Sequence, residues 1–177
     1  MGEKVHPSDL VDFFKFIISK SENGLAILLG IAPPPGAVRM YEMLGGNKVE
    51  YGVRIDGGEK IPQAQRILES VEHLEDIISA VGGWREIHAA TLKFKADYPD
   101  QWKILETHAL FVRPGGLLRD GQGGMSAIIC RRHNDITPKT LRRRYKKILR
   151  ALAIFLLSWS YSDGFNLNYF PKHKRLN

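Results

Sequence analysis

Apolar residues recur along this chain with helical rhythm from near its start almost to its end. Leu10, Phe13, Phe14, Ile17 and Ile18 lie on one face of a 3.6-residue period, which predicts a helix from Ser8 to about Lys20. Gly and Pro punctuate the next stretch, LAILLGIAPPPGAVRMYEMLGGNKVEYGVRIDGGEKIP. It holds a short apolar segment, a proline-led helix candidate from Gly36 to Leu44, and two Gly-Gly breaks. Between the breaks, KVEYGVRI alternates apolar and polar residues. Over residues 48–56 it could pair as a small two-stranded element or simply run extended, and so short a run does not decide.

From Pro62 the pattern sharpens. Ala64, Ile67, Leu68, Val71, Leu74, Ile77, Ile78 and Val81 keep helical spacing, with Pro62 suited to a first turn and Gly82-Gly83 to a stop. A further helix is expected from Trp84 to about Ala96, with Trp84, Ile87, His88, Thr91 and Phe94 on one side. Another starts at Pro99, where Asp100 favours a helix N-terminus, and carries Trp102, Leu105, Ala109 and Leu110 inward. The segment RPGGLLRDGQGG, from Arg113 to Gly124, reads as a loop. Met125 to His133 reads as a short helix, Asn134 to Thr137 as a turn, and Pro138 to about Trp159 as a long helix. The expected fold is therefore all-α or mainly α, a helical bundle with no internal repeat.

Composition adds limits. An apolar share of 44% and a charged share of 25% are those of a soluble globular domain. The single cysteine, Cys130, excludes an internal disulfide and the paired-Cys zinc patterns, and suits the cytoplasm. The first twenty residues carry acids among their apolar positions and do not resemble a cleaved leader. The longest strongly apolar run, Ala151 to Trp159, is about half the ~20 residues that span a bilayer, so no membrane role is expected.

Charge changes the picture more. The chain carries a formal +7, but Arg131 to Arg150 alone holds nine Lys or Arg against one acid, Asp135. The rest of the chain sums to slightly negative. The protein is not basic in general; one window is. A focused cluster of this kind is how a polyanion-binding element draws affinity from a few well-placed cations. The alternative is a solvated surface helix, although such a face usually interleaves acids with its bases.

The window coincides with the long helix. Thr137 is a good N-cap and Pro138 fits the first helical position. Leu141, Tyr145, Ile148, Leu149, Leu152, Phe155 and Leu156 then form one apolar stripe, with Lys139, Arg142, Arg143, Lys146, Lys147 and Arg150 opposite and Arg144 near the boundary. Past Arg150 the helix is apolar nearly all round, so a second face needs cover. Residues 163–177, with Phe165, Leu167, Tyr169 and Phe170, are suited to lie on it, and a homodimer would serve as well. Short helix, tight turn and basic helix make the helix-turn-helix order over residues 125–159, in which the second helix enters the DNA major groove. Ile128 and Ile129 would pack under Leu141 and Tyr145. The candidate DNA-binding residues are Arg131, Arg132, Lys139, Thr140, Arg142, Arg143, Arg144, Lys146, Lys147 and Arg150. Residues 61–177 are thus read as a helical DNA-binding domain, and residues 1–60 as an N-terminal helical region of unassigned role.

IICRRHNDITPKTLRRRYKKILRALAIFL resembles the helix-turn-helix of sigma-factor region 4 type. More narrowly, it is similar to that of phage late-gene transcription regulators, the ArpU, RinA and Q-antiterminator-like group. Ile128, Ile136, Thr137, Thr140, Leu141 and Arg143 follow that group's order, and YPDQWKILETHALF resembles its preceding scaffold helix. His133-Asn134-Asp135 stands where a Leu-Gly pair is usual and is one residue longer. The likeness spans about residues 62–157. It implies a DNA-binding transcription regulator of phage or prophage origin that acts with host RNA polymerase.

Catalytic chemistry finds little footing. Cys130 beside Arg131, Arg132 and His133 invites a nucleophile, since cations lower a thiol pKa, but the expected short helix wants a small apolar side chain there. The six histidines show no metal-binding spacing, and His73, His88 and His108 read as helix-surface or core-edge residues. Glu69, Glu72, Glu75 and Asp76 read as a solvated helix face. No enzyme, metal or cofactor is therefore expected. Two readings compete with promoter binding: a ring-forming phage DNA-packaging recognition subunit, and an RNA-binding antiterminator.

Overall fold

A computed structural model describes residues 5–46, 62–114 and 136–162. Within them the chain forms seven α-helices and no strand: α1 (Pro7–Lys20), α2 (Gly24–Leu29), α3 (Ala37–Met43), α4 (Gln63–Ala80), α5 (Trp84–Asp97), α6 (Pro99–Val112) and α7 (Pro138–Ser162). The all-α expectation holds. The alternating stretch at 48–56 lies outside the described residues, as do the short helix expected at 125–133 and residues 163–177.

α1 is the central helix. Pro7 supplies its first position, and the Asp9 carboxylate accepts a 2.9 Å hydrogen bond from the His6 backbone N–H, closing the first turn. Leu10, Phe13, Phe14, Ile17 and Ile18 are almost fully buried, in agreement with the sequence rhythm. α4 packs against α1 and α3, whereas α2, α6 and α7 also touch α1. α2 begins with Gly24 pressed on the last turn of α1, where an added Cβ would lie 2.5 Å from the Ile17 carbonyl oxygen. Only glycine allows that approach.

α4 ends at Gly82 and Gly83, whose φ values of 98° and 88° lie in the left-handed region. The turn reverses the chain into α5, and the Gly83 N–H closes it on the Ile78 carbonyl at 2.8 Å. α5 and α6 then pack against each other and against α7. Phe155 of α7 sits edge-on to Phe94 and Tyr98 with ring centroids 5.5 and 6.3 Å apart. Trp159 donates from Nε1 to Glu86 at 3.0 Å, and the Ser160 hydroxyl donates to the Val81 carbonyl at 2.7 Å. These bonds pin the end of α7 to the α4–α5 turn.

One hydrophobic core runs from Leu10 in α1 to Leu157 in α7, so the helices before residue 60 and those after it share the same interior. α1, α5 and α6 all pack on α7. Toward its end Ala153 and Leu157 are buried and Ile154 is half-buried. No described helix is long and apolar enough to cross a membrane.

Candidate nucleic-acid interface

The basic part of α7 starts as the sequence predicts. Thr137 is the cap: its Oγ1 accepts from the Thr140 backbone N–H at 3.2 Å and donates to the Thr140 hydroxyl at 3.0 Å, while its carbonyl takes the Leu141 N–H at 2.9 Å. Leu141, Tyr145, Ile148, Leu149 and Leu152 are buried. Lys139, Arg142, Arg143, Arg144, Lys146, Lys147 and Arg150 are all exposed, and Thr140 is half-buried. Arg131 and Arg132 lie outside the described residues, as do Cys130 and His133.

Helical geometry divides the cations further. Lys139, Arg143, Lys146 and Arg150 stand at i, i+4, i+7 and i+11 and form one ridge about 16 Å long. Arg142 and Lys147 flank it. Arg144 turns away and, with Lys147, lines a shallow groove over Asp100, Gln101 and Ile104 of α6, floored by Ile148 and Ala151. Sequence reasoning missed this groove. Its only trace in the sequence was Asp100, an acid at a helix start.

Among the described residues no acid is paired with the ridge. Among the described residues the ion pairs are Arg39–Glu42 at 3.2 Å and Lys93–Asp97 at 2.8 Å, both exposed and away from α7. The cationic field still reaches inward. The His108 imidazole of α6 lies flat on the Tyr145 ring, with centroids 3.7 Å apart and planes 13° from parallel. Burial first, and the Arg142 charge second, push the His108 pKa from 6.5 down to about 4. His108 is therefore a neutral plate under the basic turns, buried deeper than the core-edge position expected for it, and its Nδ1 finds no hydrogen-bond partner among the described residues. The signal was present, since His108 falls in step with Ile104 and Phe111, which are buried too.

The remaining candidates stay apart. His73 and the acids Glu69, Glu72, Glu75 and Asp76 are exposed along α4, and His88 is half-buried beside Trp84. Among the described residues no three His, Cys, Asp or Glu side chains come together as a metal site. What the described surface offers chemically is a rigid, unneutralised row of cations. Set against protein-family models, curated proteins and solved structures, the chain matches none.

Proposed function

We propose that this chain is a duplex-DNA-binding protein, not an enzyme, that uses α7 as its recognition helix. The observation that carries the reading is the ridge of four exposed cations, unpaired among the described residues, on a helix capped at Thr137 and buttressed from behind by α1, α5 and α6. A helix so held presents Lys and Arg without first having to order itself, which favours phosphate and base-edge contact in a major groove. Residues 125–133 would supply the first helix of a helix-turn-helix, with Arg131 and Arg132 on the flanking phosphates. The resemblance to phage late-gene regulators makes transcription control in the cytoplasm, together with host RNA polymerase, the role proposed. A homodimer would set two copies of α7 on a two-fold site.

Sedimentation with duplex DNA, with single-stranded RNA and with neither tests the proposal. A monomer or dimer that prefers duplex is the expected result. Preference for RNA would favour an antiterminator. A closed ring of many subunits would favour a packaging subunit.

A further inference from the structure

α1 and α4 enclose an open groove of about 520 Å³, and no described residue of α7 lines it. Its floor is apolar, made by Phe13, Phe16, Leu74 and Ile77, with Leu44 at one edge. Asp9, Asp12 and Glu69 stand at its rim, and Arg66 and His73 are the basic groups that face it. Glu72 and Asp76 are exposed on the same helix, so the surroundings are acidic. An apolar trough with such a rim suits an extended segment that carries apolar side chains along one edge and cations beyond them.

Residues 163–177 have that composition. Phe165, Leu167 and Tyr169 alternate and would share one edge of an extended chain. Lys172, Lys174 and Arg175 follow, against the single acid Asp163. Reach is sufficient as well. Ser160 is bonded to Val81, just past the end of α4, so the segment leaves the body at one end of the groove-forming helix. From Val81 back to Glu69 is roughly 18 Å along the helix axis. α7 stays helical to Ser162, and an extended chain from there to Phe170 covers up to roughly 26 Å.

We propose that residues 163–177 dock in cis along the α1–α4 groove, with Phe165, Leu167 and Tyr169 toward the apolar floor and Lys172, Lys174 and Arg175 near Asp9, Asp12 and Glu69. The segment's cations are thereby held away from the α7 ridge. The inference is independent of what α7 binds.

The test uses the full chain with Phe170 replaced by the photo-crosslinker p-benzoylphenylalanine, at low protein concentration, with products mapped by mass spectrometry. Crosslinks within one molecule to residues 9–16 or 66–77 are expected. Their yield should fall roughly fivefold when Asp12→Lys and Glu69→Lys are combined, since two exposed ion pairs become repulsions. Helical circular dichroism of that double variant shows whether it has stayed folded, and Phe16→Ser is a second variant that weakens the floor without touching the charges. Crosslinks to α6 or α7, crosslinks only between two molecules, or a yield indifferent to both variants in folded protein would each overturn the proposal.

Discussion

If the ridge on α7 is what meets DNA, the salt dependence of binding should count its members. The ridge and its two flanking cations, Arg142 and Lys147, give six candidate contacts, and Arg144 is turned toward α6. A ridge about 16 Å long faces roughly five phosphates of one strand at 3.4 Å each. Each neutralised phosphate contributes about −0.9 to the slope of log K against log salt, so four to six contacts predict a slope of roughly −4 to −5. Doubling the salt should then weaken binding roughly 15- to 30-fold. The assay is fluorescence anisotropy of a labelled duplex titrated at several NaCl concentrations. Arg143→Ala should make the slope shallower by about 0.9, and Lys146→Ala should do the same. Arg144→Ala should leave the slope within error. A parent slope shallower than about −2, or an Arg144→Ala effect equal to that of Arg143→Ala, would refute the assignment of the ridge.

Three further outcomes follow from the packing. Gly24→Ala would drive a methyl group into the α1 backbone and should destabilise the fold by about 2–3 kcal/mol in urea melts; a loss under ~0.5 kcal/mol would show that α1 and α2 can separate freely. Thr137→Ala removes the cap of α7 and should cost about 1 kcal/mol of stability, with Thr137→Ser recovering most of it. His108 is held neutral in the folded chain, with its pKa lowered from 6.5 to about 4, so the unfolded chain binds the extra proton first. Its contribution should be complete above about pH 6.5 and lost as the pH falls toward 4. His108→Phe, which keeps a ring against Tyr145, should flatten that part of the stability–pH curve, and an unchanged curve would refute the burial argument.

How much of this could be read from the sequence depended on how many sides each helix buries. α1 and α4 were legible because a single apolar stripe sets their phase: Leu10 to Ile18 in one, Ile67 to Val81 in the other. Even so, Leu68 fits the α4 rhythm and is half exposed, at 52%. α6 was only partly legible. It is packed by α1, α2, α5 and α7, so Trp102 and Leu105 point one way while Ile104, His108 and Phe111 serve another, and the period smears. α2 was legible only as an apolar segment, since six residues are too few to show a rhythm. The basic half of α7 was the clearest element, because cap, stripe and charge agree there. For its apolar half the sequence left three covers open, residues 163–177, a second copy and the first sixty residues, and among the described helices α1, α5 and α6 pack on α7. Contacts between elements so far apart leave no periodic trace.

The placing of exposed acids and exposed bases on different helices has an electrostatic consequence. The exposed acids Glu69, Glu72, Glu75 and Asp76 lie along α4, and the uncompensated bases lie along α7, with α1 in contact with both helices. The described surface is therefore asymmetric in charge, acidic along α4 and basic along α7. Near a linear polyanion such an asymmetry produces a torque, effective within the roughly 8–10 Å over which physiological salt leaves the field unscreened. If α7 is the face that meets DNA, as proposed, encounters that begin with α4 forward would be rotated and those that begin with α7 forward held, so rotational search would be shortened before any atom of the two partners touches.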